Sequence, residues 1–482
     1  MTQYRAHPIM IMEHLWRFGY LLIIPLARGI IAGWQSGLTG WLEGAWLDLL
    51  VLLSIFLLAL LRWYFITCER RPDGLYLNMG LIWHSRSYIP QNHIDTLAIT
   101  YPFYLKPFGA VRLRADTKAG NFEKADVKLT LRKRDAEILF EDRTHRYAGE
   151  SYLAREYKPR GIYIAALSAI LSNSLAGVLF FSTFITQTGN LLGEEFENRI
   201  FGTFETFTRM MAFGIPPAAA AIAYLMLFGW LYTFIRNLIR HKNFCARRGE
   251  GALTITGGIF TNRRYSVAVD AINYVDVRQS VLTKILGLYS VFIHAVGFGK
   301  AKDDVSALIP ASNSRDLMRH LSLLLPEFKP TKRQVRPNFG ALFRFLNDAF
   351  WWCVLLPLAT YIMVKLFPSW SEFILWVGFM CCLPAYLFLT VRIIDFTTSG
   401  IGRHGGSYTL RYSSGFYLHT VMMPRDKVAT ITLRQSIFQK MDNKCDVLIF
   451  SISEKRSRHH IRNIDKTMAL QVLDIQLKEN GD

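Results

Sequence analysis

A short lysine-centred stretch occurs three times in the chain. The copies are residues 101–109 (YPFYLKPFG), 279–287 (QSVLTKILG) and 435–440 (QSIFQK). Their central lysines are Lys106, Lys284 and Lys440, which gives spacings of 178 and 156 residues. The first spacing also pairs Gly80 with Gly258 and Ile94 with Ile272, and the second pairs Ile272 with Val428. Self-similarity at fixed offsets predicts an internal triplication, so each copy should belong to one repeated structural unit.

The polar segments around these stretches have the pattern of β-strands closed by a helix. Residues Gly251–Phe260 alternate between apolar and polar and contain the glycine pair Gly257-Gly258, while Tyr265–Val269 and Tyr274–Arg278 are rich in β-branched and aromatic residues. Helical periodicity then follows in each segment, at Lys133–Tyr147, Ser312–Leu325 and Ile464–Lys478. This order predicts a small open β-barrel closed by its C-terminal helix, three times over.

Six apolar runs precede the polar segments in pairs. They are Leu15–Trp34, Trp46–Phe65, Gly161–Ile185, Arg209–Ile235, Phe345–Phe367 and Phe373–Val391. Each is close to the roughly 20 residues that a helix needs to cross a bilayer. The runs predict six transmembrane helices in three hairpins.

The charge distribution predicts the orientation of these hairpins. Lys and Arg number 56 against 37 Asp and Glu, and the basic residues flank the hairpins, whereas the first connecting loop, 34–43, contains none. By the positive-inside rule, both chain termini and all polar segments should lie in the cytoplasm of a bacterium, on the inner face of a multi-pass cytoplasmic membrane protein. A net charge of +19 would also suit a nucleic-acid binder, but the concentration of apolar residues in blocks favours the membrane and predicts no nucleic-acid partner.

The repeated signature resembles that of a known family. A glycine turn (Gly80-Leu81-Ile82, Gly258-Ile259-Phe260, Gly415-Phe416-Tyr417) is followed by a strand start at Ile94, Ile272 or Val428 and then by the lysine stretch. In these features the chain resembles bacterial PH-like membrane proteins of the bPH2 type, some of which carry three such modules after helical hairpins. The resemblance implies a pleckstrin-homology-like fold and no catalytic activity. The third copy departs at Asp442-Asn443, and the first at Tyr101-Pro102.

The resulting expectation is a polytopic α-helical membrane protein with three cytoplasmic PH-like small β-barrel domains, each capped by a C-terminal helix. Its predicted parts are the N-terminus with hairpin 1 (1–67), PH-like domain 1 (68–158), hairpin 2 (159–235), PH-like domain 2 (236–336), hairpin 3 (337–392) and PH-like domain 3 (393–482).

Basic residues near the repeated lysines are the candidate lipid or partner contacts. They are Arg86, Lys106, Arg263, Arg264, Lys284, Arg425, Lys427, Arg434 and Lys440. A basic residue held at an anionic cytoplasmic leaflet gains about 1 kcal/mol. The alternative is that each lysine stem covers the barrel rim while its ammonium group is merely solvated.

No catalytic or metal-binding pattern accompanies these residues. The six cysteines show no paired spacing, and His459-His460 has no ligand partner at suitable spacing and is expected in a solvated loop. The sequence therefore predicts no enzyme, no cofactor and no metal. We expect PH-like modules that bind anionic phospholipid headgroups, other membrane proteins or further copies of the chain, with a role in envelope homeostasis or resistance to membrane-active agents. A transporter or lipid-handling protein that uses the six helices is the alternative.

Overall fold

The computed structural model describes residues 2–17, 45–71, 73–80, 84–117, 126–148, 155–171, 217–259, 261–295, 298, 307–452 and 458–475. Within these residues the elements recur in the same order in three consecutive segments, here called unit 1, unit 2 and unit 3.

Unit 1 begins with an edge strand and a helical pair and ends with a helix. Its elements are β1 (Thr2–Arg5), α1 (Met10–Arg17), α2 (Ala45–Tyr64), β2 (Thr67–Arg71), β3 (Gly74–Met79), β4 (Ser85–Pro90), β5 (Ile94–Tyr101), β6 (Ala110–Thr117), β7 (Val127–Arg132) and α3 (Lys133–Ala148). The predicted helix Lys133–Tyr147 is thereby confirmed.

Unit 2 repeats this order. Its elements are β8 (Glu156–Tyr157), α4 (Gly161–Leu171), α5 (Pro217–His241), β9 (Cys245–Arg248), β10 (Ala252–Gly257), β11 (Asn262–Ala268), β12 (Ile272–Ser280), α6 (Val281–Ile285), β13 (Leu288–Ala295), β14 (Ala307–Asn313) and α7 (Ser314–Leu324). The predicted strands and the closing helix are confirmed, with Asn313 rather than Ser312 as the N-cap of α7.

Unit 3 follows a longer helical pair. Its elements are α8 (Leu342–Leu366), α9 (Ser371–Thr398), β15 (Gly400–His404), β16 (Ser407–Ser414), β17 (Tyr417–Pro424), β18 (Val428–Arg434), α10 (Ile437–Met441), β19 (Lys444–Ser451), β20 (Arg458–Asp465) and α11 (Lys466–Leu473). The position that β1 and β8 take in the other units is taken here by an isolated antiparallel bridge between Val335 and Ile401 of β15.

The strands of the described residues form four sheets, two of which run across unit boundaries. β1 to β4 form one sheet and β18 to β20 another, while the two sheets between them are shared. The order β7-β6-β5-β11-β10-β9-β8 joins unit 1 to unit 2, and β14-β13-β12-β17-β16-β15 joins unit 2 to unit 3. Adjacent units are therefore connected by backbone hydrogen bonds between strands.

Alternating strand residues give each unit its own apolar core. Ile99, Leu113 and Leu131 are fully buried in unit 1, and the cores of units 2 and 3 are equally closed. The closing helices complete these cores: α7 buries Leu317, Leu321 and Leu324, which recur at helical spacing.

The prediction of six transmembrane helices is wrong. The described part of the chain forms several β-sheets and contains two helical stretches long and apolar enough to cross a membrane, Phe339–Leu366 and Pro368–Thr398. Length and apolar composition alone do not separate a spanning helix from one that packs against a domain. Helix α2, for example, buries Ile55 and Ala59 and contacts α1, whose Met10 lies in the core of unit 1.

Parts of three of the predicted spans lie outside the described residues. The run Leu15–Trp34 is described only to Arg17, Gly161–Ile185 only to Leu171, and Arg209–Ile235 only from Pro217. Trp46–Phe65 corresponds to α2, and the last two runs correspond to α8 and α9.

Candidate functional site

Each lysine stretch connects two neighbouring antiparallel strands of one sheet, β5 to β6, β12 to β13 and β18 to β19. We call these connections tip 1 (residues 102–109), tip 2 (280–287) and tip 3 (436–443). In tips 2 and 3 the Gln-Ser pair stabilises the turn. Ser280 and Ser436 cap the short helices α6 and α10 in capping boxes with Thr283 and Gln439. The preceding glutamines donate across the turn, Gln279 to the carbonyl of Leu288 and Gln435 to that of Lys444.

Tip 1 lacks this pair and closes differently. The backbone N–H groups of Leu105 and Lys106 donate to the Pro102 carbonyl, and a short 3₁₀ turn, Lys106–Phe108, replaces the capped helix. The departure at Tyr101-Pro102 therefore replaces the Gln-Ser capping box by another set of hydrogen bonds, while tip 1 still connects β5 to β6.

Each tip exposes large apolar side chains to solvent. They are Phe103, Tyr104 and Phe108 in tip 1, Leu282, Ile285 and Leu286 in tip 2, and Ile437, Phe438 and Met441 in tip 3. Their exposed fractions range from 46% for Tyr104 to 82% for Ile437. Three equivalent loops that expose apolar groups around a lysine are unlike ordinary polar loops and make the tips a candidate interaction surface.

Tips 2 and 3 lie at the polar ends of the long apolar helices. Val281 of tip 2 packs with Val391 of α9 and Leu418 of β17. Arg344, in the first turn of α8, donates to the Ser436 hydroxyl at 3.2 Å and contacts the Asp446 carboxylate at 3.4 Å. The apolar residues of these tips are thus placed beside the point where the helices leave the β-units.

A groove of about 680 Å³ lies between tip 1, unit 2 and the C-terminal half of α5. Phe103, Tyr232, Ile235, Ile239 and Ile259 supply apolar walls, and Arg236, Arg240 and Arg263 line the same space. Arg236 and Arg240 are four residues apart and therefore share one face of α5. Among the residues that the structure describes, no acidic side chain lines this groove.

The sequence candidates divide between this groove and other places. Arg263 lines the groove, whereas its neighbour Arg264 lines a smaller hollow on the other face of β11, together with Lys106 and Tyr101. Lys106 also donates to the carbonyl of Ile259 at 3.2 Å, which connects tip 1 to the wall of the groove.

Lys284 and Lys440 remain on their tips. Lys284 is half-buried, and this burial lowers the pKa of its ammonium group, whereas Lys440 is exposed. Arg86 and Arg434 lie elsewhere, on strands β4 and β18.

The remaining two candidates make structural contacts. Arg425 forms an ion pair with Asp474 at 3.0 Å, and Lys427 donates to the carbonyl of Asp270 at 2.7 Å, across the boundary between units 3 and 2. Arg236 and Arg240 were missed by the sequence because they lie on a helix far from any repeated lysine.

A buried polar cluster lies where units 2 and 3 meet, and it corrects the interpretation of His459. This residue is 2% exposed, and its Nδ1 is 2.8 Å from the hydroxyl of Tyr412. Burial lowers the pKa of His459 to about 4. Nearby, buried Asp276 contacts His419 and Arg278. Burial alone would raise the pKa of Asp276, but these two partners lower it overall.

Repeated antiparallel units closed by a C-terminal helix define the class of this protein as PH-like. The family model of the bacterial PH domain matches residues 21–143 and 200–324, which together are more than half of the chain, and the chain belongs to that family. No curated protein and no solved structure matches it significantly.

Proposed function

We propose that this chain is a non-enzymatic protein of the bacterial cytoplasmic membrane whose PH-like units bind anionic phospholipid headgroups at the cytoplasmic surface. The observation that carries the proposal is the set of three tips, each with exposed apolar side chains around a lysine. Apolar groups next to cations suit the boundary between headgroups and acyl chains, where apolar burial and attraction to anionic lipids act together. Unit 3, which has the same order of elements, is in this proposal a third PH-like module.

Helices α8 and α9 are the proposed membrane anchor. Their apolar side chains are largely exposed, since only 11% and 17% of the most apolar 18-residue stretches of the two helices are buried. Lys329, Lys332 and Arg333 precede the pair, and by the positive-inside rule such residues face the cytoplasm. The contacts of α8 and α9 with tips 3 and 2 bring those tips to the same surface.

The groove between units 1 and 2 is the proposed headgroup site. Arginine binds phosphate through paired N–H donors, and three guanidinium groups around one space favour a phosphodiester anion. The apolar walls from Phe103, Ile235 and Ile239 would contact the first carbons of the acyl chains. An amphiphile with an anionic head matches both parts of this lining.

Binding of short-chain phosphatidylglycerol to the full-length, detergent-solubilised protein tests the site. The triple variant Arg236→Gln, Arg240→Gln and Arg263→Gln should bind this lipid roughly 150-fold more weakly, because three lost cations at about 1 kcal/mol each cost about 3 kcal/mol. The affinity of the parent should fall with added salt, because the contacts are electrostatic.

A matched control removes the same charge elsewhere. Arg134, Arg315 and Arg319 are exposed on or beside the closing helices α3 and α7, and their replacement by Gln should leave phosphatidylglycerol binding within about twofold. Equal loss in both triple variants would show a general charge effect and refute the groove, as would unchanged binding in the groove variant. Phosphatidylcholine of the same chain length should bind weakly to all three proteins.

A further inference from the structure

The two junctions between units are built in the same way. At the first, β5 of unit 1 pairs antiparallel with β11 of unit 2, and Tyr265 lies opposite Ala98. At the second, β12 of unit 2 pairs with β17 of unit 3, and Val421 lies opposite Asp276. When the Val335 bridge is counted as the first strand of unit 3, the fifth strand of one unit joins the fourth strand of the next at both junctions.

The register of the two junctions is also the same. The repeat spacing of 178 residues carries Ala98 to Asp276, and the spacing of 156 carries Tyr265 to Val421. The second junction is therefore the first one displaced by one unit, residue for residue. The equivalents of these junction strands at the two ends of the series are β4 of unit 1 and β18 of unit 3. Neither pairs with a strand of another unit among the described residues.

The structure places both β4 and β18 at sheet edges. Among the strands it describes, β4 pairs with β3 alone and β18 pairs with β19 alone. Ser85, Arg86, Ser87 and Tyr88 of β4 are exposed, and so are Ala429 and Thr430 of β18. An edge strand offers unpaired N–H and C=O groups to another chain.

We infer that β4 of one copy of this chain pairs with β18 of another copy, head to tail. Continuing the register places Ser87 opposite Thr432, Arg86 opposite Leu433, and Ser85 opposite Arg434. Each arginine then faces an uncharged residue, as Arg264 faces Ile99 in the first junction.

The proline at the end of β4 is compatible with this pairing. Pro90 corresponds by the repeat spacings to Pro424 of β17, a strand that does pair with the preceding unit. Pro424 lies beyond the last paired residue, Met422, so it removes no donor from the junction. Pro90 would occupy the same place beyond the new junction.

Such a contact joins two different surfaces, and so it produces an open chain of copies or a closed ring, whose smallest form is a reciprocal pair. Each added copy continues the series of units, because the new junction repeats the two inside the chain.

Disulfide cross-linking of full-length protein in membranes tests this inference. In a background with the six native cysteines replaced by alanine, Ser87→Cys and Thr432→Cys are made in separate, differently tagged chains and co-expressed. Mild oxidation should give a dimer that contains one chain of each kind. A single chain with both substitutions should give a ladder of higher species or one closed ring.

The control pairs Ser87→Cys with Leu433→Cys, because adjacent residues of a strand point to opposite faces and these two thiols should not meet. Absence of the mixed dimer between the Ser87→Cys and Thr432→Cys chains, or a dominant dimer between two Ser87→Cys chains, would overturn the inference. The groove variant should cross-link like its parent, so failure of the lipid proposal and failure of this one are distinguishable.

Discussion

At the scale of single residues, the turn that ends each tip requires a left-handed backbone. Gly109 and Gly287 both have φ of 65°, and Asn443 has φ of 52° at the corresponding place in tip 3. Asparagine tolerates this region better than other residues with a Cβ. The sequence departure at Asp442-Asn443 therefore conserves the conformation.

Substitutions at Gly287 separate backbone conformation from packing, since a Cβ there would meet nothing within 4 Å. Gly287→Ala should lower the free energy of unfolding by about 1–2 kcal/mol through its positive φ alone. Gly287→Asn should cost less, because tip 3 already uses asparagine. Thermal unfolding in detergent measures both, with Gly406→Ala as a control in similarly open space. Equal losses for Ala and Asn would contradict this account.

His294 makes the junction between units 2 and 3 sensitive to acid. Its ring stacks on Tyr274, and its Nε2 is 3.0 Å from Arg278 Nη2, which can only donate. Burial lowers the pKa of His294 to about 4. Asp276 opposes this shift, while Arg278, His419 and His459 add to it.

The unfolded chain therefore binds a proton at His294 near pH 6.5, and the folded chain only near pH 4. Stability is full above pH 6.5 and decreases as the pH falls toward 4. Between about pH 7.5 and about pH 5 this histidine should account for about 2 kcal/mol of the loss. His294→Gln, which keeps an acceptor for Arg278, should show a correspondingly smaller decrease in unfolding free energy over that range. An unchanged pH dependence would contradict the assignment.

At the scale of elements, the tips are short connections that expose apolar side chains, and the proposed function requires these side chains to insert into lipid. A fluorophore attached at Ile437→Cys, in the cysteine-free background, should be quenched by lipids that carry a quencher near the headgroups. The control is His404→Cys, which is exposed at the far end of β15, about 15 Å along the strand from α9. Equal quenching at both positions, or none at Ile437, would refute the insertion of tip 3.

The elements themselves were largely predictable from the sequence, but their partners were not. Alternation and glycine turns indicate strands such as β10, and 3.6-residue periodicity indicates helices such as α7. Both signals are local in the sequence. Pairing between β5 and β11 joins residues far apart in the chain, and a repeat shows which strands are equivalent without showing which edges meet. His459 was misassigned for the same reason: its burial depends on Tyr412 and Tyr274, which come from other strands.

The candidate site was predictable in part. The repeated lysines indicated the tips, but Arg263 lies in the groove beside Phe103 of tip 1 rather than beside Lys284, and the exposed apolar residues of the tips were not predicted. Hydrophobicity alone does not distinguish a buried from an exposed side chain in a short helix. Arg236 and Arg240 gain their significance only from the approach of Phe103 to α5.

At the scale of the whole molecule, shared sheets should make unit 2 the centre of stability. Val291 is fully buried in its core, and Val291→Ala should destabilise the unit by about 1–3 kcal/mol. Hydrogen exchange should then accelerate in β5 and β17, which lose their partners when unit 2 opens, and not in β3 or β19. Mass spectrometry of the exchanged peptides measures this. Unchanged exchange in β17 would show that the units open independently.

The junctions also constrain how the chain is synthesised. Roughly 165 residues separate the two strands of the first junction, β5 and β11. At about 5–20 residues per second, a ribosome needs about 8–33 seconds to translate that interval. Throughout this time the nascent chain carries β5 without β11 beside it, so this edge of β5 stays open until unit 2 has been made.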